Sequence, residues 1–132
     1  MEFQLHFDEL KSIIDTENYQ ELELSLTSNS WGIIKKSNSE VNHWLSEDQF
    51  SLIFSSVSES KHGETVFVFE TFERKYKHSG LTKRLSEQLN LKWSKFDEFQ
   101  SSTEILDFYM VPKSLNWVLY ANRDFWQFAK GN

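Results

Sequence analysis

A chain of 132 residues is long enough for one core and short enough for one unit, so residues 1–132 read as a single globular domain. Apolar residues make up 39% and aromatics 16%, with 12 Phe and 5 Trp; this many rings can fill a core and excludes a disordered chain, while 4 Gly and 1 Pro exclude a collagen-like one. The absence of cysteine removes disulfide scaffolds and thiolate chemistry, and a net charge of −6 argues against nucleic acid as the partner.

In chain order, Phe3, Phe7, Leu10 and Ile14 recur at helical spacing and predict a short amphipathic helix over 3–15. This start has no basic leader and no long apolar run, so the expectation is a soluble, cytoplasmic protein without a signal peptide or membrane span. Leu22, Leu24 and Leu26 alternate with polar residues from Tyr19 onward, which favours a strand, although Leu and Glu are also good helix formers. WGIIKK at 31–36 reads as a second short strand or a turn.

Asn38 and Ser39 offer a helix cap before Val41, Trp44 and Leu45. A second apolar set, Phe50, Ile53, Phe54 and Val57, follows Ser46-Glu47-Asp48-Gln49, which has the form of a capping box. Two helices meeting near Ser46, or one kinked helix, satisfy this pattern. His62-Gly63 marks a turn, and TVFVFETF is the clearest strand in the chain.

Leu81, Leu85, Leu89, Trp93 and Phe96 then recur at spacings of four and three, predicting a helix over about 81–90 with an extension toward Phe99. Ile105–Val111 alternates as a strand that Pro112 ends. After the turn KSLN, Trp117–Ala121 returns as its partner, and Asn122-Arg123-Asp124 leads into a third strand over Phe125–Ala129. The sum is an α+β domain: a mostly antiparallel sheet ending in a three-stranded meander, with helices packed on one face. The seven aromatics between Leu106 and Phe128 serve chiefly as its core, leaving Asp107, Tyr109, Tyr120, Asn122 and Asp124 as a candidate wet face.

Catalytic signatures are missing. His6, His43, His62 and His78 form no i,i+3 or i,i+4 pair, so no metal site is expected. No serine sits in a nucleophile elbow, and four isolated glycines build no phosphate cradle. Neither an enzyme nor a bound cofactor is expected.

Charge is divided unevenly. Residues 1–60 carry 3 basic and 11 acidic side chains, whereas Arg74 to Lys95 holds seven basic residues against Glu87 alone. The basic stretch, with Tyr76 and Trp93 interleaved, has the ingredients of a nucleic-acid surface. The leucines of the same stretch account for it as an ordinary helix with a solvated basic side, and the acidic total disfavours nucleic-acid binding. The acidic half, including Glu17, Glu21, Glu23, Glu40, Glu47 and Asp48, instead complements a basic protein partner.

The stretch ILDFYMVPKSLNWVLYANRDFWQF resembles the C-terminal hairpin of bacterial immunity proteins of polymorphic and contact-dependent toxin systems. The matching positions are Asp107, Tyr109, Val111, Trp117, Val118, Asn122 and Asp124, within about the last 25 residues; Asn122-Arg123-Asp124 replaces a turn that often holds histidine in such proteins. The resemblance implies a binding protein that neutralises a cognate toxin domain, plausibly a nuclease, in the cytosol. Combined with the charge pattern, it nominates Glu21, Glu23, Glu47, Asp48, Asp107, Tyr109, Tyr120, Asn122 and Asp124 as partner-binding residues. Two other functions fit the same charges: a phage or mobile-element inhibitor acting by acidic mimicry, and a nucleic-acid accessory protein using residues 74–95.

Overall fold

The computed structural model describes residues 8–10, 14, 26, 31–39, 44–55, 57, 62–71, 74–75, 80 and 82–131. Its centre is a six-stranded, wholly antiparallel sheet. In chain order the elements are β1 (Trp31–Asn38), α1 (Glu47–Phe54), β2 (Thr65–Glu70), β3 (Arg74–Lys75), β4 (Thr82–Lys83), β5 (Ser86–Asn90), α2 (Trp93–Ser102), β6 (Phe108–Pro112), β7 (Trp117–Ala121) and β8 (Phe125–Gly131). Spatially the sheet runs β1-β8-β7-β6-β2-β5, and β3 and β4 pair separately. The fold is α+β, and the expected meander is β6-β7-β8.

Alternation along the strands sends side chains to two faces, and both are covered. Val66, Val68, Phe108, Met110, Leu119 and Phe128 join the apolar residues of α1 and α2 in one cluster. Phe67, Phe69, Tyr109, Val111, Val118 and Tyr120 form a second cluster, closed by Leu10 and Ile14. Residues 8–10 are helical, and Leu10 packs on the sheet face opposite α1 and α2. The rest of the helix expected over 3–15 and the strand expected over 19–28 lie outside the described residues, apart from a bridge between Ile14 and Leu26. Double coverage explains why β6 and β7 are buried at every position, a pattern usual for sheets with no wet face.

α1 forms where the cap chemistry directs it. Ser46 Oγ accepts from Gln49 N at 3.1 Å, and Gln49 Oε1 accepts from Ser46 N at 3.1 Å. Phe50, Ile53 and Phe54 then line its buried stripe. The two later turns also form as expected: Lys113–Asn116 links β6 to β7, and Asn122–Asp124 links β7 to β8. Leu115 sits in the first at φ 55, a left-handed conformation uncommon for a branched residue, and packs against the second cluster.

The predicted helix over 81–90 is overturned. Residues 86–90 are β5, paired in unbroken register with Phe69 to Thr65 of β2, and the helix begins only at Trp93. A spacing of four suits a strand as well as a helix, since it is a multiple of both the strand period and about one helical turn. Leu89 therefore reaches the helix-side cluster from β5, and Leu85 from the residue just before it. The unambiguous helical signal is the spacing of three from Trp93 through Phe96 to Phe99, and it falls within α2.

Candidate functional site

The nine nominated residues do not form one surface. Tyr109 and Tyr120 are 2% and 1% exposed, with ring centroids 5.6 Å apart inside the second cluster. Asn122 is also buried: its Nδ2 donates to Tyr120 Oη at 3.1 Å, while its Oδ1 accepts from Asp124 N at 2.8 Å and Phe125 N at 2.9 Å. That is an Asx turn ordering the β7–β8 connection. The wet face expected for these three residues is thus interior, and Leu10 and Ile14 pack in the same cluster as Tyr109 and Tyr120.

Asp107 is half-buried, and its carbonyl accepts from Thr71 N at 3.1 Å; Asp124 is exposed, and its carbonyl accepts from Ser39 N at 3.0 Å. Glu47 and Asp48 are exposed on the first turn of α1. Glu21 and Glu23 lie outside the described residues.

Among its described residues the basic stretch builds no helical cationic face. Arg84 Nη1 donates to the carbonyl of Glu70, whose side chain is fully buried and accepts from Leu85 N at 3.4 Å. Lys95 pairs with Glu98 at 3.4 Å, and Trp93 packs against Phe50 at 5.7 Å between ring centroids. Of the two aromatics expected as stacking platforms, Trp93 belongs to the core margin and Tyr76 lies outside the described residues.

A feature absent from the nominated set lies at the β1 edge. β1 slips register by one residue between Ile33, opposite Ala129, and Lys35, opposite Phe128, leaving Ile34 as the extra residue of a bulge. Bulges re-aim side chains at sheet edges. Lys35 takes the place opposite Phe128 and donates from Nζ to Leu52 O of α1 at 2.6 Å, while Ile34 is left 54% exposed. Leu52 is itself 59% exposed, so two of the three exposed large apolar residues among the described residues flank one β1–α1 tether. Asp48 lies one helical turn before Leu52 on the same side of α1, with Glu47 beside it. The signal in sequence is the pair Ile33-Ile34: two adjacent apolar residues cannot share one face of a regular strand.

Two open grooves lie on the described surface. One, of about 500 Å³, runs between β5 and α2; the other, of about 480 Å³, lies between Gly63–Thr65 and Lys113–Ser114. Among the described residues no group of three His, Asp or Glu side chains could hold a metal ion. No family model, curated protein or solved structure matches this chain.

Proposed function

We propose that this chain is an immunity-type binding protein that neutralises a basic cognate toxin domain by docking on it through the β1–α1 corner. The observation that carries this reading is the exposed pair Ile34 and Leu52 beside the acidic turn Glu47-Asp48. Protein interfaces concentrate affinity in a few apolar anchors and use a charged rim to select and steer the partner. Here the anchors stand on a sheet edge and a helix tied together by Lys35, and little reordering accompanies docking. The toxin as partner class follows from the resemblance of the C-terminal hairpin, whose aromatic positions build the scaffold and not the contact.

The test is co-expression. The C-terminal domain encoded immediately upstream of this chain is produced in a bacterial host with and without it. Toxicity relieved by the chain, with a complex recovered on purification, is the expected result. Toxicity without relief and without complex formation would overturn the proposal.

A further inference from the structure

We propose that β5 is also the contact through which two copies of this chain join, edge to edge and antiparallel, into one continuous sheet. Glu70 N donates to Leu85 O, and Leu91 N donates to Glu64 O, so the odd-numbered residues of β5 turn their backbone groups toward β2. Alternation in an antiparallel ladder then aims the N–H and C=O groups of Ser86, Gln88 and Asn90 outward. Among the described residues nothing pairs with the backbone of Ser86 or Gln88 on that side; Asn90 O accepts from Lys92 N at 2.8 Å. The edge is accessible, since Glu87, Gln88 and Asn90 are all exposed.

The other sheet edge is blunted and this one is not. β1 carries the bulge at Ile34, a device that spoils an edge for pairing, whereas β5 keeps straight register along all five residues. Charge selects the same edge. Residues 1–60 are strongly acidic, but the segment Arg84–Glu98 balances three cations (Arg84, Lys92, Lys95) against three carboxylates (Glu87, Asp97, Glu98). A chain of net charge −6 therefore meets its own copy with little repulsion here.

The register follows from the outward residues. A two-fold axis through Gln88 sets Gln88 opposite Gln88 and Ser86 opposite Asn90, so every outward-facing residue meets another. Glu87 then stands opposite Leu89 and not opposite a second carboxylate, which would be destabilising. Paired residues share a face, so α2 of both copies flanks the same side and their two grooves merge across the axis. Such an isologous contact closes after two copies and builds no filament.

The chain has no cysteine, so one introduced thiol reports the geometry directly. Gln88→Cys should cross-link to its own copy under mild oxidation, because Cα atoms in such a pair lie about 5.5 Å apart, within disulfide reach. Ser86→Cys should not, since its two copies stand four residues out of step, about 13 Å apart. In sedimentation across a concentration series the wild-type chain should shift from monomer to dimer. Gln88→Pro removes an outward N–H that β2 does not use, and should weaken dimerisation roughly tenfold or more with a native far-UV spectrum. Gln88→Thr keeps the N–H and should still dimerise. A wild-type monomer at every concentration overturns the proposal, as do equal cross-linking of both cysteine variants and a dimer indifferent to Gln88→Pro. If the chain is monomeric yet Gln88→Pro abolishes toxin binding, the edge takes a partner strand and the second-copy assignment fails.

Discussion

Gln100 and Leu45 make a reciprocal pair: Gln100 Nε2 donates to Leu45 O at 3.1 Å, and its Oε1 accepts from Leu45 N at 3.3 Å and Trp44 N at 3.1 Å. A buried side-chain amide on α2 thereby stands in for a strand neighbour and satisfies the backbone just before α1. Nε2 also reaches Asp97 Oδ1 at 3.3 Å, so both ends of the amide are engaged. This latch holds α1 and α2 together over the helix-side cluster, and it sets the corner on which the proposed anchors stand.

Gln100→Leu preserves volume but strands Trp44 N, Leu45 N and Leu45 O in the interior. It should lower stability by about 2–4 kcal/mol, read as a shift in the chemical denaturation midpoint. A shift below about 0.5 kcal/mol would show that water replaces the amide at no cost.

Tyr120 distinguishes scaffold from contact surface. Tyr120→Ala should cost about 3–5 kcal/mol, because its ring is fully buried against Tyr109 and Phe125. Tyr120→Phe loses the acceptor for Asn122 Nδ2 and should cost about 1 kcal/mol. If the Phe variant keeps its stability but loses toxin binding, the hydroxyl belongs to the contact after all.

At the β1–α1 corner the expected pattern is reversed. Ile34→Ala and Leu52→Ala should leave the melting midpoint nearly unchanged, within about 0.5 kcal/mol. Each should weaken toxin binding by about 2 kcal/mol, measured by calorimetry. The double variant Glu47→Gln, Asp48→Asn should slow association about tenfold at low salt, a deficit that shrinks as salt rises. Unchanged binding in all these variants would remove the corner from the interface.

Ser46→Ala tests the start of α1. Losing the cap bond to Gln49 N should cost about 1 kcal/mol. Ser46→Asp should recover most of it, because an aspartate caps as well and also suits the positive end of the helix. Thermal melts of the two variants side by side decide the matter.

Legibility in sequence varied with the range of the forces involved. The capping box at Ser46, the strand TVFVFE, Pro112 as a strand end and the turn at Asn122 were readable, since each rests on contacts within a few residues. The composition of the core was also readable, because aromatic side chains leave water wherever the chain runs. Residues 86–90 were misread, because the four-residue spacing of Leu85 and Leu89 suits either period and only pairing with β2 selects the strand. Likewise, alternation along β6 and β7 marks two faces but not what covers the second; Leu10 and Ile14 do so from nearly a hundred residues away and turn Tyr109 and Tyr120 into core. Ile34 depends on a one-residue slip against β8, and the open backbone of β5 depends on its place at the end of the sheet. Local sequence thus determined the elements and the apolar inventory, and tertiary pairing decided which residues were left at the surface, because exposure is a property of the neighbours that fail to arrive.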